Sequence, residues 1–330
     1  MKVAFIGASG HQGLALEAVG KVAELEFRGM AAGGPEEDVT PWHARSLAPL
    51  GVPLFDDWRD MLDRVKPDVA VVAPWFHRQA PVAIECIRRG IHVFLEKPMA
   101  LVPEDLEALR AAWRGGSVKL CPMFALRWAP AFWAAYQAVR DGLIGEPLVL
   151  HAQKSYRMGD RSGLYAARAT YGGTIPWVGI HGIDWIHWFT GGRILDVTAR
   201  HTARDNGGFG DMESSGMCLF RLGNSGTATL SIDYFRPAAA PTHGDDRIRA
   251  AGSRGVVEVM DGKAVLCTAS EPPRLLDLEA GDGIFADFLR HVRGGAPLRV
   301  GAEEAFSVAE LALKSRESAD TGRTVPFRGR

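Results

Sequence analysis

Glu96-Lys97-Pro98-Met99-Ala100 follows directly on an apolar run, Ile91-His92-Val93-Phe94-Leu95. The run reads as a buried strand, and a carboxylate, an ammonium and a proline at its end do little for stability. Charged groups at the C-terminal end of a parallel strand lie where open α/β sheets bind ligands. A lysine there can hydrogen-bond a hydroxyl or carbonyl and stabilise negative charge as it develops. The plainer alternative is a lysine that caps the strand in solvent. A second chemical group lies downstream. His181 and Asp184 are one helical turn apart, so a helix beginning near Ile180 puts them on one face. An acid so placed orients an imidazole and raises its basicity. His187 comes a further turn on and is rotated away from His181. Neither spacing nor rotation matches the compact two-histidine helical zinc motif, and no metal is expected.

A third candidate is the turn Gly7-Ala8-Ser9-Gly10-His11-Gln12-Gly13, which follows a short apolar run over 2–6. Its glycines are spaced G-x-x-G-x-x-G, with Ser9 where G-x-G-x-x-G would have its second glycine. The physical need is the same: the backbone must turn tightly and come close to a pyrophosphate. Gly7, Ser9, Gly10, His11 and Gln12 are therefore the candidate cofactor contacts. Dinucleotide sites usually place a carboxylate on the adenosine ribose at the end of the second strand. Here that place, near Ala32, is small and uncharged, and no arginine stands beside it to welcome a 2′-phosphate. Glu36 and Glu37 either point inward and repel such a phosphate or lie in a solvated loop. NAD and NADP both remain open.

These groups need a scaffold. Beyond 2–6, strands are expected near 25–30, over 68–73 and over 91–95. The residues after the glycine turn (Leu14, Leu16, Ala18, Val19, Val22) recur at helical spacing. Further helices are expected over 81–89, ended by Gly90, and over 103–114, opened by Pro103. Strands alternating with helices predict a doubly wound parallel sheet. Past Arg193 the pattern changes to strand-like runs at 194–201, 215–222, 226–234, 247–251 and 256–259, which predict antiparallel pairing, with an amphipathic helix over 302–319. The expected division is a dinucleotide-binding domain over 1–121 and a substrate-binding and oligomerisation domain over 122–330.

Composition sets outer limits. The chain has 330 residues, 47% hydrophobic and 23% charged, with a formal net charge of −1. No global field draws it to nucleic acid or a membrane, and no apolar run has membrane-spanning length. Met1-Lys2 leads straight into the first strand, leaving no room for a secretory leader, so a cytoplasmic protein is expected. Cys86, Cys121, Cys218 and Cys267 lie far apart and show no metal or redox spacing. One segment stands out: Lys154, Arg157, Arg161 and Arg168 alternate with Tyr156, Tyr165 and Tyr171 against a single acid, Asp160. It reads either as a loop over a pocket for a polyhydroxylated small molecule or as a solvated subunit-contact loop.

Taken together, these motifs resemble those of the Gfo/Idh/MocA family of oxidoreductases. The resemblance rests on the glycine turn, Ala73-Pro74 with His77-Arg78-Gln79, and Gly90-Ile91-His92-Val93-Phe94-Leu95-Glu96-Lys97-Pro98. It continues with Arg127-Trp128-Ala129-Pro130 and with Gly172-Gly173 followed by His181-Gly182-Ile183-Asp184. It implies a Rossmann domain followed by an α+β domain with a large open, mainly antiparallel sheet. It also implies NAD or NADP as cofactor and hydride transfer at a hydroxyl or carbonyl of a sugar, cyclitol or derivative. By the same resemblance Lys97 contacts the reacting oxygen, His181 is acid or base, and the Lys97-Pro98 bond is often cis. Pro74, His77, Glu96 and Lys97 fall beside the cofactor and Arg127 at the entry to the second domain, on the substrate side; the composition of the basic, tyrosine-bearing segment adds Lys154, Tyr156 and Arg157 as substrate candidates. One departure is Trp177, where the family commonly carries an aspartate. An indole takes no proton at ordinary pH. Trp177 either offers an apolar face to a sugar ring or fills the core. The departure keeps transient-redox glycoside cleavage in view as an alternative; a third reading is a non-catalytic cofactor-binding sensor or partner module, against which Lys97 and His181 count. A sheet of this size needs one face covered, which predicts a homodimer or homotetramer.

Overall fold

The computed structural model describes residues 1–295 and 297–327. The chain divides into two units, Met1–Phe124 with Asp282–Phe306, and Ala125–Gly281 with the chain from Ser307.

In the first unit, β1 (Lys2–Ile6), β2 (Glu26–Ala31), β3 (Leu54–Phe55), β4 (Val69–Val72), β5 (His92–Leu95) and β6 (Leu120–Pro122) form one sheet. Its order is β3-β2-β1-β4-β5-β6, and every pair is parallel. Val-Ala-Val-Val of β4 is wholly buried because a parallel sheet is covered on both faces. Helix Trp58–Val65 opens at Asp57, whose side chain accepts from Arg59 N and Asp60 N, a cap worth ~1 kcal/mol. Helix Pro103–Arg114 carries Pro103, Glu104 and Asp105 in its first turn, where a missing N–H costs nothing and negative charge is favoured. Helix Ile284–Val292 also belongs to this unit. Its Phe285 and Phe288 pack on Phe94 of β5, with ring centroids 4.9 and 5.9 Å away.

One local expectation is corrected. The residues after the glycine turn form a 3₁₀ helix, Gln12–Ala18, which buries Gln12, Ala15 and Ala18 and leaves Val19 54% exposed. A three-residue period stacks every third side chain, so the buried row differs from the expected one. Helices Thr40–Ser46 and Trp58–Val65 and strands β3 and β6 carried no pattern strong enough to be expected.

In the second unit, β7 (Pro147–Tyr156), β8 (Ile194–Thr202), β9 (Ser215–Leu222), β10 (Thr227–Asp233) and β11 (Gly244–Gly252) form most of a nine-stranded sheet. It is completed by β12 (Gly255–Met260), β13 (Lys263–Thr268), β14 (Arg274–Leu275) and β15 (Val325–Pro326). The order is β14-β13-β12-β11-β7-β10-β9-β8-β15, and only β7 and β10 pair in parallel. Alternation is clean on β9, where Gly216, Cys218, Phe220 and Leu222 are buried while Met217 and Leu219 face out. Helix Ile180–Thr190 lies against β10 and is buried at every residue. A Cβ on Gly179 would fall 2.5 Å from Ile232 Cδ1, and one on Gly182 2.3 Å from Leu230 Cδ1. Among the described residues, no helix is long and apolar enough to cross a membrane.

Candidate active site

The strand order of the first sheet reverses between β1 and β4, the place where such sheets bind ligands. The glycine turn leaves β1 there, and Ala73-Pro74 leaves β4. Gly7 has φ +85°, and a Cβ on it would fall 2.3 Å from Pro74 Cα. Only glycine fits that close approach. Ser9 N donates to Ala73 O at 2.8 Å. Gln12 is buried and ties the turn to itself, its Oε1 accepting from Gly10 N at 3.1 Å and its Nε2 donating to Ala8 O at 3.2 Å.

Glu96, at the end of β5, is fully buried and reaches into this turn. Its Oε2 accepts from His11 N and lies 2.9 Å from His11 Nδ1, while its Oε1 accepts from Lys97 N at 2.8 Å. Burial pushes this carboxyl up, but His11 and Lys97 outweigh it and hold it below the ordinary carboxylate range. A Cβ on Gly10 would collide with the Glu96 carboxylate at 2.1 Å. Lys97 itself is 2% exposed, and the Lys97–Pro98 peptide is cis. Gln79, with its amide nitrogen turned toward the strand end, donates to Glu96 O and to Pro98 O. Glycines that only a bare backbone satisfies, at the switch point of a parallel sheet, fit a dinucleotide.

Two further carboxylates flank the turn. Glu36 grips Arg78, with Nε to Oε1 at 2.6 Å and Nη2 to Oε2 at 3.0 Å, and lies 3.1 Å from His77 Nε2. Arg78 lowers the Glu36 carboxyl; burial lowers His77, with Glu36 opposing it. Glu37 turns inward and accepts from Ala8 N, Ser9 Oγ and Gly33 N. Burial raises its carboxyl, and those three donors pull it back. Of the two readings open for Glu36 and Glu37 in the sequence, Glu37 takes the inward one, and no periodic pattern could have separated it from its neighbour.

In the second unit, His181 stands in the first turn of helix Ile180–Thr190 and is 6% exposed. Asp184, one turn on, is clasped by Arg127, with Nη2 to Oδ1 at 2.6 Å and Nε to Oδ2 at 3.0 Å. Both side chains are buried, and the guanidinium also lies 4.8 Å from the Trp188 ring. Arg127 is thus engaged inside the unit by its own aspartate. Lys154 projects from β7 to the buried face, its Nζ 2.6 Å from Asp246 Oδ1 and within 4.7 and 5.1 Å of the Tyr156 and Trp185 rings. Tyr156 stacks on His243 at 5.1 Å, and Arg157 donates to Ala240 O.

Trp177 sits in a π-helical turn, Ile175–Gly179, with its ring 6.0 Å from Tyr165. Tyr171 and Tyr234 join the same aromatic patch, their hydroxyls 3.1 Å apart, and burial raises both phenols. Arg161 lies over Tyr234 and Tyr165 at 4.9 and 5.4 Å. Among the described residues, no group of three or more His, Cys, Asp or Glu side chains is placed to hold a metal.

Comparison with known proteins gives the family and the fold. Residues 1–123 match the oxidoreductase family model with an NAD-binding Rossmann fold, and residues 132–258 match the GFO/IDH/MocA C-terminal domain. A candidate oxidoreductase from Thermotoga maritima is 42% identical, with a TM-score of 0.94 over 99% of this chain and 100% of that one. Inositol 2-dehydrogenase 2 of Saccharopolyspora erythraea is 30% identical over 158 residues, 48% of this chain and 44% of that protein. A levoglucosan dehydrogenase in complex with NADH and levoglucosan shares the fold at 18% identity, with a TM-score of 0.82 and full coverage of both chains. The turn, the Glu96-Lys97-Pro98 strand end and the His181 helix thus sit in a chain that belongs to the Gfo/Idh/MocA family of oxidoreductases.

Proposed function

We propose that the protein is an NAD(P)-dependent dehydrogenase or reductase acting on a CH–OH group of a sugar, cyclitol or sugar derivative. The observation that carries this reading is Lys97, a buried lysine one residue from the carboxylate that clasps the glycine turn. Burying an ammonium is costly, and a place beside the cofactor turn gives it a task. Bound nicotinamide supplies the hydride acceptor or donor. Lys97 hydrogen-bonds the reacting oxygen and stabilises its developing negative charge. A ring nitrogen of His181 takes the hydroxyl proton during oxidation and returns it during reduction. Asp184, gripped by Arg127, holds the helical turn that carries His181. Tyr156, Arg157 and Trp177 contact the substrate, with Lys154 fixing Tyr156 from behind. Relatives named for an inositol and for levoglucosan support a polyhydroxylated substrate. The protein acts in the cytoplasm as a homodimer or homotetramer.

The test is nicotinamide absorbance with NAD and NADP against cyclitols, sugars and sugar acids. Net reduction with one of them is expected. Silence with cofactor bound overturns the reading, and glycoside cleavage without net reduction replaces it with transient redox.

A further inference from the structure

The end of β2 lacks the carboxylate that usually receives the adenosine ribose: Ala31 closes the strand and Ala32-Gly33 follow. A carboxylate nevertheless stands on the glycine turn. Glu37, six residues beyond Ala31, reaches back so that its Oε1 accepts from Ala8 N at 2.8 Å and Ser9 Oγ at 2.5 Å. Its Oε2 accepts from Gly33 N at 3.1 Å. A carboxylate offers about four acceptor positions, so three donors from the protein leave about one, on Oε2, for a hydroxyl. The nearby cation offers no counterweight, because Arg78 is held through two hydrogen bonds by Glu36. The pair lies close over the loop backbone: a Cβ on Gly34 would fall 2.5 Å from Arg78 Nε and 2.8 Å from Glu36 Oε2.

We propose that Glu37 is the ribose-binding carboxylate of this chain, supplied from the loop after β2, and that it selects NAD over NADP. A ribose 2′-hydroxyl donates to the open position on Oε2. A 2′-phosphate has no such proton to give at neutral pH and meets a fixed negative charge instead. The three backbone and side-chain donors that hold Glu37 keep it from swinging away, so the discrimination is built in before the cofactor arrives.

The experiment is direct binding, by calorimetry or protein fluorescence, of NAD, NADP and the NAD analogue lacking the adenosine 2′-hydroxyl. No substrate is needed, so the result is independent of the reaction proposed above. The native protein is expected to bind NAD about 100-fold more tightly than NADP, with the deoxy analogue about 10-fold weaker than NAD. NADP weaker than the deoxy analogue is the mark of repulsion, as opposed to a lost hydrogen bond. Glu37→Gln is expected to recover at least ~10-fold in NADP affinity while changing NAD affinity less. Equal binding of NAD and NADP by the native protein overturns the proposal, as does NADP binding no weaker than the deoxy analogue. So does an unchanged ratio in a folded Glu37→Gln protein, or binding of neither dinucleotide. If Glu37→Gln does not fold, the three native affinities decide alone.

Discussion

At the scale of single residues, the chemistry turns on which charges are held and by what. Lys97 is buried next to Glu96, so Lys97→Met keeps volume and removes only the ammonium. We expect kcat to fall ~10²- to 10⁴-fold while NAD affinity stays within about threefold, read by steady-state kinetics and a binding titration. Lost NAD binding with kcat spared would assign Lys97 to the cofactor instead. Asp184 and Arg127 form a buried pair, and removing one charge strands the other. Asp184→Asn is therefore expected to cost ~3–5 kcal/mol in urea unfolding, whereas Arg127→Met with Asp184→Leu recovers most of it. A single substitution that costs no more than a surface pair would mean that water reaches the guanidinium. Motif spacing made Lys97, His181 and Asp184 legible as chemical groups. It could not reveal that Asp184 answers to Arg127, because residues 57 positions apart meet only through the fold.

At the scale of elements, helix Ile180–Thr190 shows how close packing on a strand fixes the height of the helix that carries His181, the proposed acid or base. Gly179 and Gly182 let the helix lie directly on Ile232 and Leu230 of β10. Gly182→Ala places a Cβ against a buried leucine and is expected to cost ~1–3 kcal/mol in a thermal or denaturant melt. Gly13, with nothing within 4 Å of its Cβ position, is the control. Gly13→Ala should stabilise by ~0.4–1 kcal/mol, through loss of unfolded-state freedom. Similar losses at both positions would show that the helix does not rest on β10 as described. Strands and helices with strong periodicity, such as β4 and Pro103–Arg114, were legible from sequence alone. β7 was not, although it is central to its sheet. Its sequence, Pro-Leu-Val-Leu-His-Ala-Gln-Lys-Ser-Tyr, puts a lysine on the buried face and apolar Leu148 and Val149 toward solvent.

At the scale of the whole molecule, the second sheet leaves Val149, Leu195, Met217 and Leu219 exposed at 38, 41, 61 and 50%. That much apolar surface suits a second copy of the chain. Light scattering is expected to give twice or four times the chain mass of 35.7 kDa, and Met217→Glu with Leu219→Glu to shift it toward one chain. A native protein that stays at one chain mass at all concentrations would leave this face without a partner copy. The cysteines offer a second check on packing. Burial pushes the thiols of Cys86 and Cys218 up to about 12, while Cys267 is half-buried. A thiol reagent at neutral pH should modify Cys267 in the native protein and reach Cys86 and Cys218 only on unfolding. Fast native labelling of Cys86 would mean that helix Gln79–Arg88 opens readily.

By itself, the sequence determined the parallel first sheet, the mainly antiparallel second one, the glycine turn at the end of β1, and Lys97 and His181 as candidates for proton chemistry. These follow from local rules: the period of apolar residues, the glycine a tight turn demands and the charge placed at a strand end. Only the tertiary structure decided which carboxylate lies on the turn. Glu36 and Glu37 are neighbours in the chain, yet one is drawn off by Arg78 and the other by Ala8, Ser9 and Gly33. Such a choice depends on donors brought together from distant positions, and a pairwise pattern along one chain does not encode which of two adjacent acids they will capture.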